Sequence, residues 1–267
     1  MLDLREFETI LAEVEDGILT IYLNQPKKRN ALSQTMIAEI TSVLDEVSDN
    51  NRIRAIVFKG KGGVFSAGAD LASFQKILSA KEGQKPAAFE ANKEGGQFFL
   101  KVHSMPQLTI AHVEGAAMAG GLGLACACDY ILAEETAKFA FTETRIGLPP
   151  AQIAPYVLKR LGYQAAKKML LMGASIRANE AQKTGLVDDV YDSEASAGEK
   201  LEVLKGQIIA CAPNAFAATK ALIDKAESHR ASAFIDVAAE CFASAFAGDE
   251  AGEGIRSFFE KRKPVWS

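Results

Sequence analysis

The stretch Ile110 to Glu143, IAHVEGAAMAGGLGLACACDYILAEETAKFAFTE, decides how the chain is organised. It continues a short apolar run, Thr109 to Val113, of the kind that forms a buried strand. A loop of small residues, Glu114 to Gly121, then feeds an apolar helix over Leu122 to Cys128, and a second strand pattern follows over Asp129 to Ala133. Small residues let backbones approach closely, and a helix that starts at such a loop points free N–H groups at whatever lies there. Two outcomes fit: a site for an oxygen that carries or develops negative charge, or a tightly packed turn with no ligand. A lone carboxylate, Glu143, stands inside FAFTETRIGL (Phe139 to Leu148).

Upstream, IRAIVFKG (Ile53 to Gly60) is a continuous apolar run, as expected of a strand covered on both faces. It passes through Gly60 to Gly63 into another small-residue segment, Ser66 to Asp70, where Asp70 can cap a helix beginning near Leu71. Two strands thus each end in a small-residue loop before a helix, and a pair of backbone N–H donors from two such loops is what an oxyanion hole requires. Residues 6–14 and 17–23 are strand-like on either side of Asp16-Gly17, a hairpin signal. Gln25 to Leu32 is a basic loop, suited either to plain solvation or to clamping phosphates. Behind Ser33 as N-cap, Met36, Ile37, Ile40, Val43, Leu44 and Val47 recur at three and four, predicting a helix over about 34–48.

Residues 80–96 are polar and helix-poor, expected as a mobile flap or a variable surface excursion, with a helix over 97–104 after them. Ile146 to Ala151 forms a rigid turn ahead of helices at 152–161 and 163–172, and a short helix starts over 178–184. From Ala195 onward the pattern is helical, at about 196–211, 214–227, 231–246 and 249–260, with Ala, Phe and Ile at helical spacing for a core or a subunit interface. Strand–loop–helix units followed by helices predict an α/β body over 1–194 and a helical module over 195–267.

Composition bounds the function. With 267 residues, 48% hydrophobic and 24% charged, the chain can bury one large core. Its net charge of −4 argues against nucleic acid or an anionic membrane as the main partner, without excluding a local basic pocket. No apolar run approaches the roughly 20 residues that span a bilayer. The N-terminal MLDLREFETI lacks the apolar segment of a signal peptide. Cys126, Cys128, Cys211 and Cys241 form no framework and are expected as buried thiols in a reducing cytoplasm. His103, His112 and His229 are scattered, so no metal site is expected.

Four segments together resemble one family: LNQPKKRNAL (Leu23 to Leu32), GVFSAGADL (Gly63 to Leu71), the block from Val113 to Leu148, and FFEKRKPVW (Phe258 to Trp266). In this order and spacing they are similar to the crotonase, or enoyl-CoA hydratase/isomerase, superfamily. The resemblance implies a crotonase-like ββα spiral core with a C-terminal helical trimerisation module, assembled as a trimer or a dimer of trimers. It implies an acyl-CoA thioester bound between the two small-residue loops, its oxygen on the N–H groups of Ala69 and Gly120. It assigns Lys28 and Arg29, with Lys263 as a weaker candidate, to the CoA phosphates, and Ala31, Ala67, Asp70, Leu71, Gly123 and Ala151 to the substrate surface. No cofactor is implied, since coenzyme A belongs to the substrate. In this family enoyl-CoA hydratases typically carry one glutamate in the helix after the glycine loop and a second about twenty residues on. Here the first position is Gly123, and the second is retained as Glu143.

A glycine holds neither water nor proton, so Glu143 is expected to act alone as acid and base, with a carboxyl raised by burial beside the acyl chain. AGGLGL and the Pro150-Ala151-Gln152-Ile153 turn are similar to methylglutaconyl-CoA and isohexenylglutaconyl-CoA hydratases. Their substrates carry a second carboxylate that Arg145 is placed to meet, unless it pairs with Glu143 or Glu135. The expected activity is therefore hydration of a branched enoyl-CoA. The alternatives are a Δ3,Δ2-enoyl-CoA isomerase using Glu143 as its single base, and an acyl-CoA-binding pseudoenzyme.

Overall fold

The computed structural model describes residues 6–80 and 82–266; the first five residues of the acidic N-terminal stretch, and Lys81 within the 80–96 segment, lie outside it. Strands β1 (Ile10–Glu15) and β2 (Ile18–Leu23) form an antiparallel hairpin over Asp16 and Gly17. Both turn residues have positive φ, 49° and 79°, the twist that suits a two-residue hairpin. Helix α1 (Gln34–Val47) starts at Ser33, whose hydroxyl accepts from Met36 N at 3.2 Å.

The chain then runs through β3 (Ala55–Gly60), α2 (Leu71–Ser79), α3 (Gln84–His103), β4 (Leu108–Val113), β5 (Ala116–Met118), α4 (Gly120–Ala127), β6 (Tyr130–Glu134) and β7 (Lys138–Ala140). It continues through α5 (Ala154–Met172), β8 (Ile176–Arg177), α6 (Ala178–Lys183), β9 (Asp189–Tyr191), α7 (Glu194–Ala210), α8 (Pro213–Ser228), α9 (Ala231–Phe246) and α10 (Asp249–Phe259). The main sheet has the order β1-β2-β3-β4-β6-β9, parallel from β2 onward. A small sheet, β5-β7-β8, continues the path of the glycine loop.

Alternation along the parallel strands sorts the core. Ile56, Phe58, Ala111 and Val113 point to the face covered by α1, α3 and α4, while Ala55, Val57 and Ile110 meet Leu201 and Leu204 of α7. Helix α4 is apolar all round and buried from Gly121 to its end, which makes it the centre of the molecule. It starts at Gly120, two residues before the apolar run suggests.

Two expectations need correction. Residues 84–96 are helical, part of the twenty-residue α3, so the 80–96 segment is neither helix-poor nor an irregular excursion. Pro86 sits in the first turn, where its missing N–H has no intrahelical partner to lose. Gly96 is a packing position, since a Cβ there would overlap Gln152. Second, only two thiols are buried: Cys126 and Cys128 lie in and just after α4, whereas Cys211 is exposed and Cys241 half-exposed. The sequence predicts none of β5, β7, β8 and β9, which have two or three residues each and carry no pattern of their own.

The two helices expected over 152–172 are observed as α5, broken at Gly162 (φ 67°, ψ 170°). Helix α7 lies on the sheet, so the helices standing off it begin at α8. Among the described residues no single helix is long and apolar enough to cross a membrane; α9 and α10 together reach the length but bend by 70° at their junction.

Candidate active site

Parallel strands place the loops after their C-terminal ends side by side, which is where open α/β sheets bind ligands. Three such loops meet here. The basic loop after β2 is shaped by Asn30, fully buried and held at φ 52°. Its amide donates to Lys61 O at 2.9 Å and Val64 O at 2.7 Å, and its oxygen accepts from Gln25 N at 2.9 Å. The loop after β3 lies against it: Ala67 N donates to Arg29 O, Leu32 N to Gly68 O, and Asp70 N to Leu32 O. Buried Ser66 ties both, donating to Asn30 O at 2.7 Å and accepting from Gly68 N at 3.2 Å.

The glycine loop after β4 joins on the other side, where Ser66 N donates to Ala116 O and Met118 N to Ser66 O. Gly121 is required at this crossing, because a Cβ there would lie 2.6 Å from the Cβ and carbonyl oxygen of Ser66. Ala119 takes a strained backbone (φ 48°, ψ −126°) that turns the chain into α4. The result brings two amides together. A Cβ on Gly120 would stand 3.6 Å from Ala69 N. Among the described residues neither the Ala69 nor the Gly120 N–H has an acceptor.

Glu143 reaches this place through the small sheet. Met118 pairs with Ala140, and Ala119 N donates to Ala140 O at 2.8 Å, so Gly120 and Glu143 each follow closely on a hydrogen-bonded position. Glu143 opens a 3-10 turn, Glu143–Ile146, and is half-buried. Its Oε2 is buried and has no hydrogen-bond partner. Burial pushes the carboxyl above the usual carboxylate range, against a backbone hydrogen bond that pulls it down. An orphaned buried carboxylate oxygen is costly unless something is meant to meet it.

The volume beside Gly123 is filled by apolar side chains. A Cβ there would overlap Ile153 Cγ2, lie 3.0 Å from Ile153 Cβ and stand 3.5 Å from Phe99 Cζ. Phe99 does not stand out in the sequence, and Ile153 appears there only as the end of the Pro150 to Ile153 turn; the exchange of volume between positions 123 and 153 is visible only as a contact.

The other expected site residues are distributed as follows. Asp70 caps α2, accepting from Ala72 N at 3.1 Å, and Ala31 and Ala67 are half-buried in the joined loops. Leu71 and Ala151 are exposed, as are Lys28 and Arg29 on the basic turn. Lys263 is not brought to them. Its tail is pinned by Trp266 Nε1 donating to Ala210 O, at the end of α7 that also receives Arg54. Arg54 precedes β3, so this is the opposite end of the parallel strands. Arg145 forms no ion pair with Glu143 or Glu135; its guanidinium lies over Gly173 at the end of α5. The Cys126 thiol is pushed up to about 12 by burial and that of Cys128 higher still, so neither is a nucleophile.

The model of the enoyl-CoA hydratase/isomerase family matches residues 13–267. The chain belongs to that family. The crotonase fold extends over almost its whole length. The chain is 32% identical over 259 residues to crotonyl-CoA hydratase of Syntrophomonas wolfei, covering 96% of this chain and 97% of that protein. It is 28% identical to the 2,3-dehydroadipyl-CoA hydratase of Escherichia coli over 96% and 97% of the two chains. Among solved structures, Pseudomonas aeruginosa AtuE superposes with a TM-score of 0.92 at 40% identity, over 97% of this chain and 99% of that one. An enoyl-CoA hydratase/isomerase from Marinobacter aquaeolei gives 0.91 at 39%, over 97% and 98%.

Proposed function

We propose that this enzyme, a lyase of the enoyl-CoA hydratase type, adds water across the 2,3 double bond of a branched, glutaconyl-type enoyl-CoA, with Glu143 as its one acid and base. The observation that carries this reading is the buried, unpartnered Oε2 of Glu143, on a carboxyl raised by burial, in the same loop cluster as two free amides. The carboxylate takes a proton from a water whose oxygen bonds to C3. The C2–C3 π electrons move into the thioester and leave enolate charge on its oxygen. Ala69 and Gly120 N–H donate to that oxygen; an oxyanion donor of this kind is worth about 3–4 kcal/mol. The protonated Glu143 then returns its proton to C2, and the enolate collapses to the 3-hydroxyacyl thioester. One water is consumed and Glu143 is regenerated, with no cofactor beyond the coenzyme A that the substrate carries.

Lys28 and Arg29, exposed at the mouth, are suited to the CoA phosphates. The glutaconyl assignment is supported by Gly123 with the Pro150 to Ile153 turn, and by a relative named for a dehydroadipyl-CoA. We further propose self-association through α8 and α9, as a trimer or a dimer of trimers, because these two sixteen-residue helices have no buried side chain among the described residues. The functional test is a paired assay of 3-methylglutaconyl-CoA hydration and 3-enoyl-CoA isomerisation, with Glu143→Gln as control. Loss of enoyl absorbance on the first substrate supports the hydratase. Turnover of the second alone would replace it with the isomerase, whose proton shift between C2 and C4 also needs only one base.

A further inference from the structure

The region around Gly123 carries more than a missing acid. Gly120 and Gly123 lie one helical turn apart on α4 and so face the same side. Phe99 Cζ bridges them, 3.9 Å from a Cβ placed on Gly120 and 3.5 Å from one placed on Gly123. The Phe99 ring tip thus borders both the free amides and the Ile153 side chain that overlaps the Gly123 position. Phe99 is 6% exposed and Ile153 3%, so both are packed in place. Ile153 ends the Pro150 to Ile153 turn at the start of α5, and its neighbour Gln152 is anchored on α3, donating to Asn92 Oδ1 at 2.8 Å and lying over Gly96. The ring of Phe99 is backed by Tyr156, 6.4 Å away edge-on. Positions 123, 153 and 99 therefore form one interlocked volume adjoining the place where thioester charge develops.

We infer that Ile153 is a specificity-determining residue of this reaction: it fills the volume that a side chain at position 123 would occupy, keeps a second acid away from the reacting carbons, and with Phe99 gives that side of the pocket an apolar surface suited to an alkyl branch at C3. The inference deepens the hydratase reading and rests on it for the reaction assayed. In a thioester held at the two amides, C2 and C3 are the atoms that follow the carbonyl carbon. A methyl on C3 has room and dispersion contact against an apolar wall, whereas a carboxylate there would hold water instead. One methylene in such a pocket is worth roughly 10- to 200-fold in selectivity.

The test uses the full chain and four variants: Ile153→Ala, Ile153→Val, Gly123→Glu, and Gly123→Glu with Ile153→Ala. Hydration of 3-methylglutaconyl-CoA and of glutaconyl-CoA, which differ only in the branch, is compared as a ratio of kcat/KM, with thermal melting in parallel. The ratio is expected to fall by about tenfold or more in Ile153→Ala and by less in Ile153→Val. Gly123→Glu alone is expected to lower the melting temperature, and adding Ile153→Ala to recover a measurable part of that loss, because the two changes exchange one volume. An unchanged ratio in Ile153→Ala, or melting losses that simply add in the double variant, would overturn the inference. If the wild type hydrates neither thioester but isomerises a 3-enoyl-CoA, the hydratase reading fails by itself. The Gly123/Ile153 coupling is then still decided by melting, and the branch preference by 3-methyl against unbranched isomerisation substrates.

Discussion

At the scale of single residues, Glu143 is defined by what it lacks. No donor reaches its Oε2, and burial holds its carboxyl above the ordinary range. If the carboxylate form begins the reaction, kcat/KM falls as pH drops through that raised pKa, at higher pH than a solvated glutamate would titrate. Glu143→Gln should remove this limb together with at least a hundredfold of the rate, while acyl-CoA affinity is kept; a pH profile of both proteins decides it. Linkage has a definite sign here. A folded-state pKa raised above the unfolded one gives stability that is full below the unfolded pKa and is lost as pH rises through the folded value. Glu143→Gln is therefore expected to melt above wild type at neutral pH, with the gap closing in acid. Gly120 offers a second separation of fold from function. A methyl there makes only ordinary contacts, 3.6 Å from Ala69 N and 3.9 Å from Phe99 Cζ, yet it stands between the two amides. Gly120→Ala should leave melting unchanged while lowering kcat/KM by about 10²- to 10³-fold; equal loss of both would show that the position is merely structural.

At the scale of elements, the three joined loops depend on one amide side chain. Asn30 bonds three backbone groups from 25 to 64 and holds a left-handed backbone that asparagine tolerates better than most residues. Asn30→Ala should cost about 3 kcal/mol by denaturant unfolding, at roughly 1 kcal/mol per lost bond, and should blur the basic loop after β2, which on the proposed function raises KM before kcat. Much at this scale was legible in the sequence. The hairpin at Asp16-Gly17, the Ser33 cap and the apolar strand before each small-residue loop all follow from local chemistry, whereas the role expected of Glu143 came from the family resemblance. What escaped depended on distant partners. Helix α3 carries Pro86, Gly95 and Gly96, which weigh against a helix locally, yet the first lies in a turn that tolerates it and the last admits Gln152, distant in the chain, in space-filling contact. The strands β5 and β7 are three residues long and exist as pairs, Ala116 to Met118 against Lys138 to Ala140. The packing role of Ile153, named in the sequence only as the end of a turn, escaped for the same reason, since it depends on the absence of a side chain at 123.

At the scale of the whole molecule, α8 is held to the core along one edge by charge. Lys220 meets Asp129 at 2.6 Å, and Asp129 also accepts from Thr109 N and Oγ1, the residue that begins the buried part of β4. Asp224 meets His103 and Lys159, and Glu227 meets Lys159, so residues 220, 224 and 227 line one side of the helix. These contacts orient α8; α9 packs on α8 and α10 on α9, yet no side chain of α8 or α9 is buried among the described residues. Phe242 and Phe246 stack at 6.0 Å, one turn apart on α9, and remain 71% and 62% exposed, with Ile223 and Ile235 also open. Exposed rings of this size rarely stay in water, and each contributes about 1.5–3 kcal/mol when fully buried. Several copies of that surface are enough to hold a symmetric assembly. If the proposed self-association holds, the unaltered protein sediments as a trimer or hexamer and the double change Phe242→Asp and Phe246→Asp is expected to sediment as a monomer, while the far-ultraviolet circular dichroism of the α/β core persists. A protein that sediments as a monomer before any change would refute self-association through this face.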